Sequence, residues 1–516
     1  MRSKKVRFLS LLAAATLLAS GCASGDGSSS KQSSAAAPSE ADSQTSAVSE
    51  TADVPEGGEP ITLKVLMGNQ PTDPNKEPPH DKITELTGYY LDCYMLPAER
   101  AEEKLNLELA SGTEYDIVMI NPTSFRNLAG KNAFLEISDL IDQYGPNVKQ
   151  AVTEEEWGSS TVDGKVVGVP AFDARYIGGG IAVNVDMFKE AGVEFKNEMT
   201  IDEYTAALRA LKAKYPEVIP MTGSTAWSEG IMSAFNLTTQ DFPLIDGKVT
   251  PKMTNPGLKD YVTYMNELYT EGLIDAEWPT NTGEVLNEKF TSGKAAIAWM
   301  GWWNATTINE AVKTATGSEV DYIHPLFSND GKSVYGINTG VTGFRAIPKS
   351  SQKAEDVVKF WNLYADPKNF ETIFIGEEGV HHEIRDENGE KSYWPIFPAF
   401  TEWFNGHYFN MVTPRDTFTT LWLCRVRKSE ELYSAFERMN TYSEDHWVAD
   451  SLAYAPPLPA VTKYAQSAGQ LAGDTIVEFI AGSKPLSEWD SFIEKWKSEG
   501  GAEMISEAED YTASLS

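Results

Sequence analysis

The first part of the globular chain alternates strand-like and helix-like patterns. Ile61–Met67, Tyr89–Met95 and Tyr115–Ile120 are rich in β-branched, aromatic and aliphatic residues, which predicts three strands. Helical patterns separate them, a short one over Asp81–Thr87 and a longer one over Ala98–Ala110. This βαβαβ order predicts a parallel sheet that is covered by helices on both faces.

Polar side chains follow the first and the third of these strands. In such sheets ligands bind at the carboxyl ends of the strands, so these side chains are candidates for a binding site. Turn formation and helix capping explain the same residue types equally well, and both interpretations stay open. The candidates are Asn69, Gln70, Asp73, Asn121, Thr123 and Ser124.

The rest of the chain shows the same two kinds of pattern, with more helix towards its end. Asp163-Gly164-Lys165 predicts a turn between two short strands, and Gly178–Asn184 predicts a strand. The segment Phe290–Trp303 predicts a helix end, a glycine turn and a buried strand, and Gly336–Ile347 predicts another extended segment. The segments predicted as further helices are Val185–Gly192, Ile201–Tyr215, Leu258–Gly272, Ala354–Tyr364, Ser429–Asn440, Thr462–Ala481, Trp489–Glu499 and Ala502–Leu515.

The N-terminus has the pattern of a secretory signal. Basic residues precede an apolar run from Phe8 to Leu18, which is shorter than the roughly 20 residues of a membrane span. Small residues then precede Cys22, and this resembles a lipobox, in which the cysteine is acylated. We predict a signal peptide over residues 1–21 and lipid attachment at Cys22, with a plain signal peptide and an incidental cysteine as the alternative.

The composition beyond the signal narrows the class of protein. Residues 22–59 are mostly small or polar and include no aromatic residue, which predicts a disordered tether. The formal net charge of −32 repels polyphosphate and argues against nucleic-acid binding. Cys93 and Cys424 are compatible with one disulfide or with two buried thiols.

Four short motifs follow one another along the globular part of the chain. They are Asp163–Pro170 (DGKVVGVP), Ile181–Val193 (IAVNVDMFKEAGV), Phe290–Trp303 (FTSGKAAIAWMGWW) and Gly376–His381 (GEEGVH). Together they resemble the signatures of family 1 extracellular solute-binding proteins of ABC importers, and the last motif is similar to the LipO-like lipoproteins of Gram-positive bacteria. The resemblance implies a two-lobed α/β fold of the type II periplasmic-binding-protein kind, each lobe a mostly parallel sheet flanked by helices, with a helical C-terminal part.

The resemblance also implies how the chain divides between the lobes. Lobe 1 would hold residues 60–172 and about 339–382, and lobe 2 would hold residues 173–338 and about 383–516. Glycine-bearing crossings near residues 173–180 and 335–343 would let the lobes close over a ligand by hinge bending.

A tryptophan cluster is the main candidate for ligand contact. A sugar presents apolar ring faces and hydroxyl rims, so a sugar site needs aromatic platforms and planar polar side chains. Trp299, Trp302 and Trp303 surround Gly301, and the resemblance implies that Trp303 stacks on a sugar ring. The alternative is a place in the core between the lobes.

Other candidates lie in the first crossing, in lobe 2 and in the segment that returns to lobe 1. The resemblance implies that an acidic residue at the first crossing, here Asp173, accepts hydroxyl hydrogen bonds, whereas a hinge salt bridge with Arg175 is the alternative. A core or structural role is the simpler interpretation for most of the others. They are Trp227, Glu378, His381, His382, Trp394, Trp403 and Trp422.

The sequence has no decisive motif for any of three competing functions. His381-His382-Glu383 lacks a distant third ligand, and Asp386–Glu390 predicts a polar hairpin tip rather than a calcium loop, so we predict neither a metal nor a cofactor. Nothing marks a catalytic carboxylate pair of a secreted glycoside hydrolase or lyase. A peptide receptor on the same fold would need a charged clamp, for which Arg175 and Arg345 are the candidates.

These observations lead to one predicted function. We predict a non-catalytic, monomeric receptor of an ABC importer, held by its lipid on the extracellular face of the cell membrane. Its predicted ligand is a carbohydrate, most simply an oligosaccharide, and its predicted protein partners are the transmembrane subunits of the permease.

Overall fold

The computed structural model describes most of the globular part of the chain. The described residues are 58–172, 174–337, 341–387, 389–403 and 410–515. The predicted signal peptide, Cys22, nearly all of the predicted tether and Asp173 lie outside them.

The first sheet, sheet A, has five strands and confirms the three strands predicted at the start of the chain. In spatial order the strands are Tyr89–Met95, Ile61–Met67, Ile117–Ile120, Val341–Ala346 and Val169–Phe172. The first three run parallel, as the βαβαβ order predicts. The fourth pairs antiparallel with both of its neighbours, so sheet A is mixed.

The second sheet, sheet B, has the spatial order Val320–Ile323, Gly179–Asn184, Ala295–Gly301 and Ile219–Met221. Two of its three strand pairs are antiparallel, so the expectation of a mostly parallel sheet in each lobe is wrong for sheet B. A strand that is buried on both faces has a nearly continuous apolar sequence whichever way its neighbours run. The local pattern therefore identified these strands without indicating how they pair.

Helices cover both sheets, and the bounds of those that the sequence analysis predicted agree with the predicted segments to within a few residues. Ser429 is the predicted N-cap, and its hydroxyl accepts a hydrogen bond from the backbone N–H of Leu432 at 3.1 Å. No described helix is long and apolar enough to cross a membrane. The helices are Pro78–Thr87, Ala101–Ala110, Pro122–Gly130, Ser138–Tyr144, Pro146–Ala151, Glu154–Gly158, Val185–Glu190, Ile201–Lys214, Glu229–Met232, Gly257–Thr270, Gly283–Thr291, Ala305–Thr316, Ala354–Tyr364, Pro367–Ile375, Ala399–Trp403, Arg415–Val426, Glu430–Met439, Pro459–Ile480, Trp489–Trp496 and Ala502–Ser514.

Short two-stranded ribbons connect the larger elements. Asp163 and Gly164 both have positive φ, 51° and 76°, which confirms the predicted tight turn. The predicted polar hairpin tip is also confirmed, because Asp386 Oδ1 accepts a hydrogen bond from the backbone N–H of Gly389 at 2.7 Å. The ribbons pair Thr161–Val162 with Lys165–Val166, Leu244–Ile245 with Lys248–Val249, Tyr335–Gly336 with Trp447–Val448, and His382–Glu387 with Glu390–Pro395.

Two apolar cores lie on opposite faces of sheet B. Side chains alternate along Gly179–Asn184, so Ala182 packs into one core while Ile181 and Val183 pack into the other. The core on the Ala182 side continues onto sheet A, and the other core includes the long helix Pro459–Ile480. The apolar contact that joins the two sheets therefore runs through one face of sheet B.

The two cysteines of the globular part are buried and unpaired. Cys93 lies in a strand of sheet A and Cys424 lies in helix Arg415–Val426. Burial raises the pKa of both thiols to about 12. Of the two possibilities that the sequence left open, the structure shows the two buried thiols.

Candidate functional site

A cavity of about 400 Å³ lies where an edge of sheet A meets the end of a strand of sheet B. The edge strand Val169–Phe172 and its neighbour Val341–Ala346 line one side, and the turn after Ala295–Gly301 lines another. Helices Arg415–Val426 and Glu430–Met439 contribute to the rest of the wall. The volume falls in the range of roughly 300–1,000 Å³ that is usual for small-molecule sites.

Aromatic side chains form much of the cavity wall. Tyr176 stacks on Trp422 with ring centroids 4.8 Å apart, and Trp302 meets both rings edge-on at 5.7 and 5.5 Å. Trp303 also lines the cavity, yet 54% of its surface is exposed. A half-exposed indole beside a cavity provides a platform on which the apolar face of a ligand packs.

The backbone turn after strand Ala295–Gly301 decides which tryptophans reach the cavity. Trp302 and Trp303 begin a 3₁₀ turn directly after the strand. A Cβ atom at residue 301 would lie 2.4 Å from the Trp303 ring, so a glycine is required for the indole to fold back over this residue. Trp299 is still in the strand, packs against both apolar cores and does not line the cavity.

Two polar atoms of the cavity wall are buried without a hydrogen-bond partner among the described residues. One is the indole Nε1 of Trp302, a donor, and the other is the side-chain Oδ1 of Asn410, an acceptor. A buried polar group without a partner costs roughly 1–3 kcal/mol. Hydroxyl groups have the chemistry to pair with either atom, because they both donate and accept hydrogen bonds.

The charged side chains among the described lining residues are all cationic. Arg345 donates from Nε to the backbone carbonyl of Asn410 at 2.8 Å, and burial lowers the pKa of its guanidinium to about 10. Arg425 lies over the ring of Phe374 at 4.3 Å from the centroid. Burial, together with the charge of Arg425, lowers the pKa of Lys428 to about 8.

The candidates that follow the strands of sheet A do not line the cavity. Asp73 accepts a hydrogen bond from the backbone N–H two residues later at 3.1 Å, and Asn121 accepts one from the N–H three residues later at 2.8 Å. These are the capping contacts of the alternative interpretation. Asn69 and Thr123 are exposed.

Four further candidates do not line the cavity either, namely Trp227, Arg175, Glu378 and His381. Trp227 lines a separate cavity of about 70 Å³, where Lys252 Nζ lies 4.6 Å from its ring centroid. Arg175 and Glu378 are exposed. His381 Nδ1 accepts a hydrogen bond from a backbone N–H at 2.9 Å, and burial lowers the pKa of this imidazole. Of the candidate residues, the structure thus brings Trp302, Trp303, Trp422 and Arg345 into the cavity.

The neighbouring histidines of the return segment point to different partners. His381 lies 4.6 Å from the ring of Trp403, whereas the buried His382 lies with its Nε2 3.6 Å from Glu371 Oε1. No three His, Cys, Asp or Glu side chains of the described ranges are grouped so that they could hold a metal ion.

The lining residues that the sequence analysis missed include Tyr176, Arg425 and Lys428. A signal existed for one of them. In helix Arg415–Val426, Phe418, Trp422 and Arg425 are spaced four and three residues apart, so they share one face. An arginine on an otherwise apolar helix face indicates that a polar partner or a ligand lies opposite it.

A sequence comparison identifies the family of this two-sheet protein. The profile of the bacterial extracellular solute-binding proteins matches residues 80–377, and the chain belongs to this family. The resemblance that the four motifs carry is confirmed.

Individual relatives cover almost the whole globular part. The polygalacturonan/rhamnogalacturonan-binding protein YtcQ of Bacillus subtilis is 24% identical over 465 residues, which are 84% of this chain and 89% of YtcQ. Lipoprotein LipO of the same organism is 24% identical over 480 residues, 86% of this chain and 90% of LipO. The crystal structure of the alginate-binding protein AlgQ2 matches with a TM-score of 0.66 and 18% identity, covering 89% of this chain and 99% of that structure. The expected two-lobed α/β fold is thus confirmed.

Proposed function

We propose that the protein is the substrate-binding receptor of an ABC importer, that it captures an oligosaccharide in the 400 Å³ cavity, and that it catalyses no reaction. The observation that carries this proposal is the cavity wall itself. It combines the exposed platform of Trp303 with the unpaired polar atoms of Trp302 and Asn410. A sugar ring matches both, because it has an apolar face and a rim of hydroxyl groups.

The relatives support a carbohydrate rather than another small solute. YtcQ is named for binding polygalacturonan and rhamnogalacturonan, and AlgQ2 is named for binding alginate. These are carbohydrate polymers, and both proteins align with nearly the whole globular part of this chain. A receptor for their fragments would pass them to the transmembrane subunits of a permease.

The proposal includes a hinge between two lobes. We assign residues 60–172 and about 339–382 to lobe 1, and residues 173–338 and about 383–516 to lobe 2. Both crossings adjoin the cavity, because Phe172 and Thr342 line it. A bend at the crossings would open and close the cavity over a ligand.

A ligand panel read by thermal shift tests the proposed function. An oligosaccharide that binds is expected to stabilise the protein by about 2.7 kcal/mol at a concentration of 100 times its Kd, because it binds only the folded state. Neutral and acidic oligosaccharides form two arms of the panel, and di- and tripeptides form a third. Stabilisation by peptides alone would contradict the proposal, and so would breakdown of an oligosaccharide during incubation.

A second experiment tests the proposed lipid anchor at Cys22. Cys22→Ala is expected to move most of the protein from the membrane fraction to the medium, because no described helix can hold it in the bilayer. Cys93→Ala is the matched control, because this buried thiol lies in sheet A. The Cys93→Ala protein is expected to stay in the membrane fraction. Retention of Cys22→Ala in the membrane fraction after a high-salt wash would refute the anchor.

A further inference from the structure

The cavity carries a charge that contrasts with the rest of the protein. The whole chain has a formal net charge of −32, yet Arg345, Arg425 and Lys428 all line this one cavity. Among the described lining residues there is no Asp or Glu. Asp173 adjoins the lining in sequence and lies outside the described residues; one carboxylate against three cations would still leave a positive balance.

Two of these cations are deeply buried, and this distinguishes them from solvated surface charges. Arg345 is 9% exposed and Arg425 is 6% exposed. Arginine is rarely buried to this degree, because removing its charge from water is costly. A cation held at such a position lies in a low-dielectric environment, where its attraction for an anion is much stronger than in water.

The two guanidinium groups are also held in place before any ligand arrives. Arg345 is fixed by the backbone carbonyl of Asn410, to which both Nε and Nη2 donate. Arg425 is fixed over the ring of Phe374. Donors that are already oriented lose little entropy on binding, so they favour a ligand that matches their geometry.

Lys428 adds a third positive charge close to Arg425. Burial and, to a lesser degree, the like charge of Arg425 lower the pKa of Lys428 to about 8, so the ammonium group keeps its proton in most molecules at pH 7. An anionic group of a ligand that reaches these two side chains would form charge-assisted hydrogen bonds with them.

We propose that the ligand is an acidic oligosaccharide, whose anionic groups bind Arg345, Arg425 and Lys428 while a ring face packs on Trp303. This inference rests on the proposed function, because it names the class of sugar that the cavity takes. Carboxylates of uronic acids and sulfate esters share the required chemistry, since both are oxyanions that accept hydrogen bonds from guanidinium and ammonium groups.

Calorimetry on the full-length protein at pH 7 tests the inference with paired ligands. The probes are short oligomers of galacturonic and of mannuronic acid, the methyl esters of the same oligomers, sulfated galactose oligomers, and neutral galactose and glucose oligomers. Esterification keeps the ring and removes the charge, so at least one acidic oligomer is expected to bind about tenfold or more tightly than its ester. Binding of sulfated but not of uronic oligomers would identify sulfate as the anion.

Two variants connect the charge preference to the cavity. Lys428→Gln is expected to weaken binding of the preferred acidic oligomer about tenfold and to change binding of its ester less than twofold. The variant loses a charge from a half-buried side chain, so its fold is expected to be retained. Lys332→Gln is the matched control, because it removes the same charge from an exposed lysine that does not line the cavity.

The outcomes separate the inference from the proposed function. Equal binding of acids and esters, a preference for neutral oligomers, or unchanged affinity in Lys428→Gln overturns the acidic ligand and leaves the oligosaccharide receptor intact. Failure of every oligosaccharide, acidic or neutral, together with binding of peptides, overturns both. Tight binding of one acidic class that Lys428→Gln weakens supports both.

Discussion

Replacing Trp303 with alanine is expected to weaken oligosaccharide binding tenfold or more, which corresponds to about 1.4 kcal/mol or more of binding free energy. Among the described tryptophans only Trp303 exposes more than half of its surface, and it lines the cavity. A sugar ring that covers this indole would remove apolar surface of both the indole and the sugar from water. Alanine at this position loses most of that stabilisation. Calorimetry with the tightest oligosaccharide of the panel measures the loss.

Two further variants make this prediction specific. Gly301→Ala keeps the indole but places a Cβ 2.4 Å from its ring, so it is expected to displace Trp303 and to weaken binding in the same way. Trp227→Ala is the matched control, because Trp227 lines the separate 70 Å³ cavity. If Trp227→Ala abolished binding and Trp303→Ala did not, the ligand site would lie in the smaller cavity.

Replacing Asp275 with asparagine is expected to cost about 3 kcal/mol of the free energy of unfolding at pH 7. Asp275 is 3% exposed, and its Oδ2 accepts hydrogen bonds from Lys289 Nζ at 2.7 Å, Thr222 Oγ1 at 2.8 Å and Asn281 Nδ2 at 2.8 Å. The asparagine removes the buried one of the two carboxylates that pair with the ammonium group of Lys289. Denaturant unfolding measures the difference.

The pH dependence of this difference gives a second test. Burial acts to raise the pKa of Asp275, but the hydrogen bonds from Lys289 and Asn281 outweigh it and hold the pKa below its ordinary value of 3.8. A carboxyl group whose pKa is lowered by folding stabilises the protein fully above its unfolded pKa, and this contribution is lost as the pH falls. The gap between the wild type and Asp275→Asn is therefore expected to be full at pH 7 and to shrink below about pH 4.

Glu277 offers a matched control for Asp275, because it pairs with the same lysine. Its carboxylate lies 2.8 Å from Lys289 Nζ, but 74% of its side chain is exposed. An exposed ion pair contributes at most about 1 kcal/mol, so Glu277→Gln is expected to have a small effect. Equal losses in the two variants would show that burial of Asp275 does not strengthen the network.

Prediction from the sequence worked best where one segment determines its own structure. The helix predicted over Ala354–Tyr364 has the same bounds in the structure, and the strands Ile61–Met67 and Tyr89–Met95 do as well. Their patterns of buried and exposed positions follow from the geometry of a single helix or strand. Ser429 was identified as a cap for the same reason, since the cap bonds within its own helix turn.

The cavity was predicted only in part. Trp302 and Trp303 stood out as large aromatic residues within a family motif. Whether Trp299 or Trp303 lines the cavity depended on where the strand ends, and the 3₁₀ turn after Gly301 brings Trp303 to the cavity. Arg425 and Lys428 were missed because helix Arg415–Val426 and the residues directly after it reach the cavity only through packing against elements from distant parts of the chain.

The sequence by itself determined the local elements, the family and the aromatic residues around Gly301, because each of these depends on neighbouring residues or on a short motif. Only the tertiary structure decided the mixed pairing of both sheets, the unpaired state of Cys93 and Cys424, and the cations of the cavity. These features arise where segments far apart in the chain come into contact. Such contacts are set by the shape and charge of whole packed surfaces, which a local pattern does not contain.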